Sequence, residues 1–155
     1  MKTIQFNTSN IRKKTINSID VYEQSNHLEY IVNIINDVTF SHRHYIESEL
    51  KCKLSSYKQQ DKNKRKFNED LYIRYDCLLK KIADSKLLCY YCNINMLLVY
   101  KVKNNKRQWS LERFNNYIGH YDNNTCICCL DCNLKRRDSN YEYYKTFKTI
   151  EINKS

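Results

Sequence analysis

CYYC at residues 89–92 and CLDC at residues 129–132 are two Cys-x-x-Cys pairs separated by 36 residues. Each pair can curl two thiolates around one side of a tetrahedral ion, and two pairs complete the shell with Zn–S bonds of about 2.3 Å. Thiols kept reduced inside a cell favour metal over disulfides at this spacing. The expected ligands of a structural Zn²⁺ are therefore Cys89, Cys92, Cys129 and Cys132, since four thiolates leave no open position for water. Cys126 and Cys129 form an alternative pair with Cys128 between them. Strand alternation would send Cys126 and Cys128 to one face of the preceding strand, which favours 129 and 132 as ligands. Cys52 and Cys77 read as small buried apolar side chains.

Outward from the pairs, the pattern divides the chain. Met96 to Val102 has strand composition, KNNKRQ at 103–108 reads as a polar turn, and Trp109 to Phe114 and Thr125 to Cys128 read as short strands. The loop between them, 115–123, holds the only glycine, Gly119, expected at positive φ. Leu130 to Arg137 and Tyr141 to Ile150 read as short helices, and Trp109 as core. Toward the N-terminus, Leu28, Ile31, Val32, Ile35 and Val38 form an apolar stripe over a helix from about 23 to 38. A second helix follows Ser41. QQDKNKRK at 59–66 reads as a basic loop, and Phe67, Leu71, Tyr75, Leu78 and Ile82 predict a third helix over 68–86. His27, His42 and His44 have no partnered cysteine spacing and read as surface residues. The expected organisation is α+β: a flexible arm over 1–20, a basic helical region over 21–88, and a zinc-stapled unit over 89–155 ending in a helix.

Composition limits the function classes. The chain has 155 residues, a formal charge of +10 and 14 Tyr, with a mean hydropathy of −0.79. A modest core built partly from tyrosine bodies excludes a large enzyme with a deep organic-ligand cavity. The apolar runs, such as Met96 to Tyr100, are far short of a membrane span. MKTIQFNTSN at the start lacks the apolar segment of a secretory signal, so the expected setting is intracellular: cytoplasm, nucleus or viral factory. The basic excess is shared by both halves of the chain and points to polyanions, with nucleic acid first among them.

Between the cysteine pairs, Leu111-Glu112-Arg113, Gly119-His120, Asn124 and Cys129-Leu-Asp-Cys132-Asn133 followed by Lys135, Arg136 and Arg137 occur in a defined order. In motif order and spacing this stretch resembles HNH-type endonucleases of the ββα-metal fold, in the zinc-stapled branch that includes the recombination endonuclease VII family. The resemblance covers about 89 to 137. It implies a metal-dependent endonuclease acting on duplex or branched DNA, or on RNA, of a kind that travels with viruses and mobile elements. It also implies a homodimer where two strands are cut.

By that resemblance, Glu112 and Asn133 hold a catalytic Mg²⁺ or Mn²⁺, since one carboxylate and one amide oxygen suffice to keep such an ion against phosphate. Asn124 ties the loop and places the base, while Arg113, Lys135, Arg136 and Arg137 contact the nucleic-acid backbone. Arg113 stands where most active members carry the base histidine, and a guanidinium cannot take a proton near neutral pH. His120 is the expected substitute. Other readings stay open: His120 as a phosphate contact, Glu112 as an exposed strand-end carboxylate paired with Arg113, and Asn133 as a helix cap. The corresponding functional alternatives are a catalytically silent zinc-containing nucleic-acid-binding protein and a zinc-stabilised interaction subunit of a larger assembly.

Overall fold

The computed structural model describes residues 15–154, so most of the expected arm over 1–20 lies outside the described residues. Helices α1 (His27–Ile35), α2 (Arg43–Asn63) and α3 (Tyr75–Asp84) precede a hairpin of β1 (Trp109–Arg113) and β2 (Thr125–Cys129). Helices α4 (Leu130–Arg136) and α5 (Tyr141–Lys154) follow, and short 3₁₀ turns occupy Asp20–Tyr22, Gln24–Asn26 and Asp122–Asn124. This mixture of helix and strand is the expected α+β class. Among the described residues no helix is long and apolar enough to cross a membrane.

The hairpin is antiparallel, with Trp109 opposite Cys129 and Arg113 opposite Thr125. Its strands do not alternate between buried and exposed positions, because both faces are covered. On one face Trp109 and Leu111 enter the core, and at the outer edge of β1 the Leu111 N–H donates to the Tyr57 hydroxyl of α2 at 3.0 Å. On the other, Asn133 Nδ2 of α4 donates to Ser110 Oγ at 3.1 Å. Trp109 is core, as expected, and its Nε1–H donates to the Leu98 carbonyl at 3.1 Å. A single hydrophobic core runs from Val21, Ile31 and Leu50 through Leu78 and Ile82 to Trp109, Leu111 and Cys132. The helical part and the cysteine-bearing part thus bury their apolar surface together.

Several elements depart from the sequence pattern. Helix α1 ends at Ile35, and Asp37 takes φ of 57°. Its buried face is His27, Ile31 and Ile34, while Val32, Ile35 and Val38 of the expected stripe lie exposed. Helix α2 runs on to Asn63 through the stretch expected as a loop. The expected helix over 68–86 forms only from Tyr75, because Asn68 Oδ1 accepts from the N–H groups of Asp70 and Leu71. That local turn competes with the helix, and Leu71 is exposed as a result. Ile73 N–H then donates to the His120 carbonyl at 3.0 Å. Residues 96–102 form no regular strand, and Leu97 makes one isolated bridge to Gln108.

His27 is fully buried rather than a surface residue. Its Nδ1 accepts from Leu98 N–H at 3.0 Å, and its Nε2 lies 3.2 Å from the Val21 carbonyl. The ring therefore bridges the N-terminal turns to the segment before the hairpin, and it does so as a neutral imidazole. Burial pushes its pKa down to about 4, although the Val21 carbonyl pulls the other way. The folded value lies below that of an unfolded histidine, so this stability is complete above pH 6.5 and is lost as pH falls through 4. The acid-induced drop in unfolding free energy between pH 6.5 and 4, measured by urea denaturation, should shrink by roughly 3 kcal/mol in His27→Gln. An identical drop in the variant would contradict this role.

Candidate metal centre and the cleft beside it

The two cysteine pairs sit on different local devices. Asn93 adopts φ of 57°, a conformation asparagine tolerates, and lets the chain double back after Cys92. The Cys89 N–H donates to the Ile94 carbonyl at 3.0 Å across that turn. Cys129 closes β2 and caps α4, its Sγ accepting from the Cys132 N–H at 3.4 Å. The Cys129 N–H in turn donates to Cys89 Sγ at 3.2 Å.

These placements gather Cys89, Cys92, Cys129 and Cys132 so that their sulfurs all lie within 4.8 Å of one another. A tetrahedron with bonds of about 2.3 Å has edges of about 3.8 Å, and Cys92 Sγ lies 3.8 Å from Cys129 Sγ. The four cysteines could hold a structural metal ion. The crowded thiols split in their acidity: contact with Cys129 draws the Cys89 thiol well below its usual range and brings Cys92 down to about 7, while Cys129 and Cys132 are pushed up. Cys126 and Cys128 stay outside the cluster, opposite Glu112 and Ser110 in the hairpin. Of the remaining two, Cys77 is half-buried but Cys52 is exposed, because it lies off the apolar face of α2.

Beside the hairpin lies a small polar cleft of about 150 Å³. Helix α2 contributes Tyr57 and Gln60, β1 contributes Glu112 and Arg113, the loop contributes Asn116 and His120, and Asn133 of α4 and Arg137 just after it close the cleft. His120 is held by Asp61, a fully buried carboxylate. Asp61 Oδ2 accepts from the His120 backbone N–H at 2.6 Å, and Oδ1 lies 2.8 Å from His120 Nδ1. Because a carboxylate can only accept, Nδ1 carries the proton and Nε2 is left unprotonated. Burial pushes the imidazole down to about 4 against the opposing pull of Asp61, so the ring is neutral at physiological pH. Tyr57 packs against it with ring centroids 4.8 Å apart.

Glu112 is buried rather than exposed at the strand end, and its partner is Arg136 instead of Arg113. Burial pushes its carboxyl up to about 7, with Arg136 pulling the other way. One oxygen meets the Arg136 guanidinium, while Oε2 is buried without a hydrogen bond from any described residue. Asn133 uses its amide nitrogen on Ser110, which leaves the amide oxygen as its acceptor. Glu112 and Asn133 both line the cleft, and a carboxylate and an amide oxygen are the donor types a hard divalent cation takes. Asn124 is buried, and its amide donates to the Asn115 and Gly119 carbonyls, both at 3.0 Å, which fixes the loop carrying His120.

The four expected backbone-contacting residues separate. Arg136 is buried, with its guanidinium also donating to the Arg113, Phe114 and Ser139 carbonyls. Arg113 lies 3.8 Å from Asp61. Lys135 pairs with Asp131 at 2.7 Å on the surface, and Arg137 is exposed at the rim of the cleft. Asp61 is the residue that sequence reasoning missed, hidden in a basic run. The available signal is the helical stripe Leu50, Leu54, Tyr57 and Asp61, which carries the acid onto the face that packs against the hairpin.

Comparison with family models, with curated proteins and with solved structures finds no match for the chain.

Gly119 does not adopt the expected positive φ. Its constraint is space, since a Cβ would stand 2.5 Å from the Lys66 carbonyl oxygen, 2.7 Å from Asp61 Oδ2 and 2.9 Å from Tyr121 Cε1. Backbone and a buried carboxylate cannot withdraw cheaply. Gly119→Ala should therefore cost roughly 3 kcal/mol in urea denaturation, and a loss below about 0.5 kcal/mol would show that the loop does not press on Asp61.

Proposed function

We propose that the chain is a metal-dependent DNA endonuclease of the HNH type, with a structural Zn²⁺ held by Cys89, Cys92, Cys129 and Cys132. The observation that carries this reading is the Asp61–His120 pair on a cleft shared with Glu112 and Asn133. A histidine whose Nδ1–H is committed to a buried carboxylate presents Nε2 as a proton acceptor, which is the arrangement a general base requires.

In this reading His120 Nε2 takes a proton from a water as its oxygen bonds to phosphorus and the bond to the leaving 3′ oxygen breaks. Asp61 stabilises the imidazolium formed in that step, the leaving 3′ oxygen takes a proton from solvent, and the imidazolium returns its own proton to solvent when the products leave. Glu112 and Asn133 would hold the Mg²⁺ or Mn²⁺, which supplies charge neutralisation at the leaving oxygen when bound. Arg137 at the rim, with exposed Lys64 and Arg65 just beyond Asp61, offers cations to the phosphates on either side. One site cuts one strand, so a double-strand break takes two copies of the chain.

The Glu112–Arg136 ion pair favours a second reading, a catalytically silent zinc module that binds nucleic acid, because it already engages one carboxylate oxygen. Supercoiled plasmid incubated with the protein separates the two. The endonuclease nicks it in Mg²⁺ or Mn²⁺, stops in EDTA and resumes when excess Mg²⁺ is restored. Asn133→Ala should abolish nicking, and His120→Ala should lower it by about 10² or more while keeping the wild-type circular dichroism spectrum. Salt-sensitive retention of DNA without nicking supports the silent module, and no retention at all overturns both.

A further inference from the structure

The concavity does not end at His120. Asn116 lines both the cleft and a second hollow of about 520 Å³, which lies between the loop after β1 and the start of α5. One wall is aromatic: Phe114 and Tyr141 hold their ring centroids 4.5 Å apart at 46°, and Tyr117 stands beside them. Tyr117 is 89% exposed, yet its backbone is pinned by the Asn115 Oδ1 that accepts its N–H at 2.9 Å. A tyrosine so exposed adds little to the core of this chain, but it presents a ring face at the mouth of a pocket.

The other wall is polar in a specific way. Asn115 spends its side-chain oxygen on Tyr117, and Asn140 spends its own on the N–H groups of Glu142 and Tyr143 at the start of α5. Both amide nitrogens are thereby left as donors on residues that line the hollow, and Asp138 brings an acceptor to the same lining. Lys66 ties the floor by donating to the Asn116 carbonyl and puts a cation beside the passage to the cleft. Ring faces for stacking, amide donors, a carboxylate acceptor and an adjoining cation together match a base with its phosphate.

We infer that this hollow takes one unpaired nucleobase of the strand being cut, next to the scissile phosphate, and so assigns the substrate class as DNA with an unpaired nucleotide. A base inside a perfect duplex has both faces stacked and its pairing edge engaged. It reaches such a pocket only after flipping out, at a cost that a single strand or a bulge does not bear. The inference deepens the endonuclease reading and rests on it for the position of the scissile phosphate.

Fluorescence polarisation, without added Mg²⁺ or Mn²⁺, tests the pocket apart from the chemistry. The probes are a labelled 15-mer of thymidine, a blunt duplex of equal length, and that duplex with one bulged thymidine. The single strand and the bulge should bind about tenfold tighter than the blunt duplex. Tyr117→Ala should erase that preference and Tyr117→Phe should keep it, and because Tyr117 is exposed neither variant removes buried packing. Equal affinity for all three probes, no binding to any of them, or a preference that survives Tyr117→Ala overturns the pocket, and tighter binding of a uridine RNA 15-mer overturns the assignment to DNA. Plasmid nicking without the preference sinks the pocket alone, whereas the preference without nicking sinks the endonuclease reading and leaves the pocket standing.

Discussion

Four sulfur atoms brought within 4.8 Å of one another from positions 89 to 132 are the constraint from which the C-terminal half follows. A two-stranded hairpin is marginal in water by itself. Here its second strand ends at Cys129, which also caps α4, and the first pair clamps that junction from a separate turn. A cation shared by the four thiolates would bind the folded chain and not the unfolded one, so its binding energy becomes folding energy. Closing the clamp sets α4 across the Ser110 and Glu112 side of the hairpin, which delivers Asn133 to the cleft and Arg136 to Glu112.

The N-terminal half supplies what the clamp cannot. Helix α2 meets the outer edge of β1 through Tyr57 and ends by presenting Asp61 to the loop that follows β1. A buried carboxylate is stable only when its charge is answered, and Asp61 is answered by two N–H groups of His120 with Arg113 nearby. The same carboxylate leaves no room for a side chain at position 119. The candidate base is therefore held by a helix some sixty positions upstream, and the two halves form one site as well as one core.

What the sequence reveals follows from how local each signal is. The cysteine spacing, the two strands and the short helix after Cys129 depend on near neighbours, and the structure contains them within a residue or so of the expected bounds. The choice of Cys129 and Cys132 over Cys126 was legible from strand alternation alone. The helical half is less legible, because its apolar residues outnumber the buried places: Val32, Ile35 and Leu71 fit a helical period and still face solvent. Asp61 was concealed by lysines on both sides, and its role depends on a partner 59 residues away. Glu112 shows the same limit from the other direction, since the strand places it but only the turn of α4 brings Arg136 to it.

The hairpin and the cleft beside it depend on the clamp. Zinc K-edge X-ray absorption on the purified full-length protein, with metal content measured on the same sample, tests it most directly. One zinc per chain in a shell of four sulfurs at about 2.3 Å is the expected result. Protein that is folded yet metal-free, or a shell containing nitrogen or oxygen ligands, would contradict it.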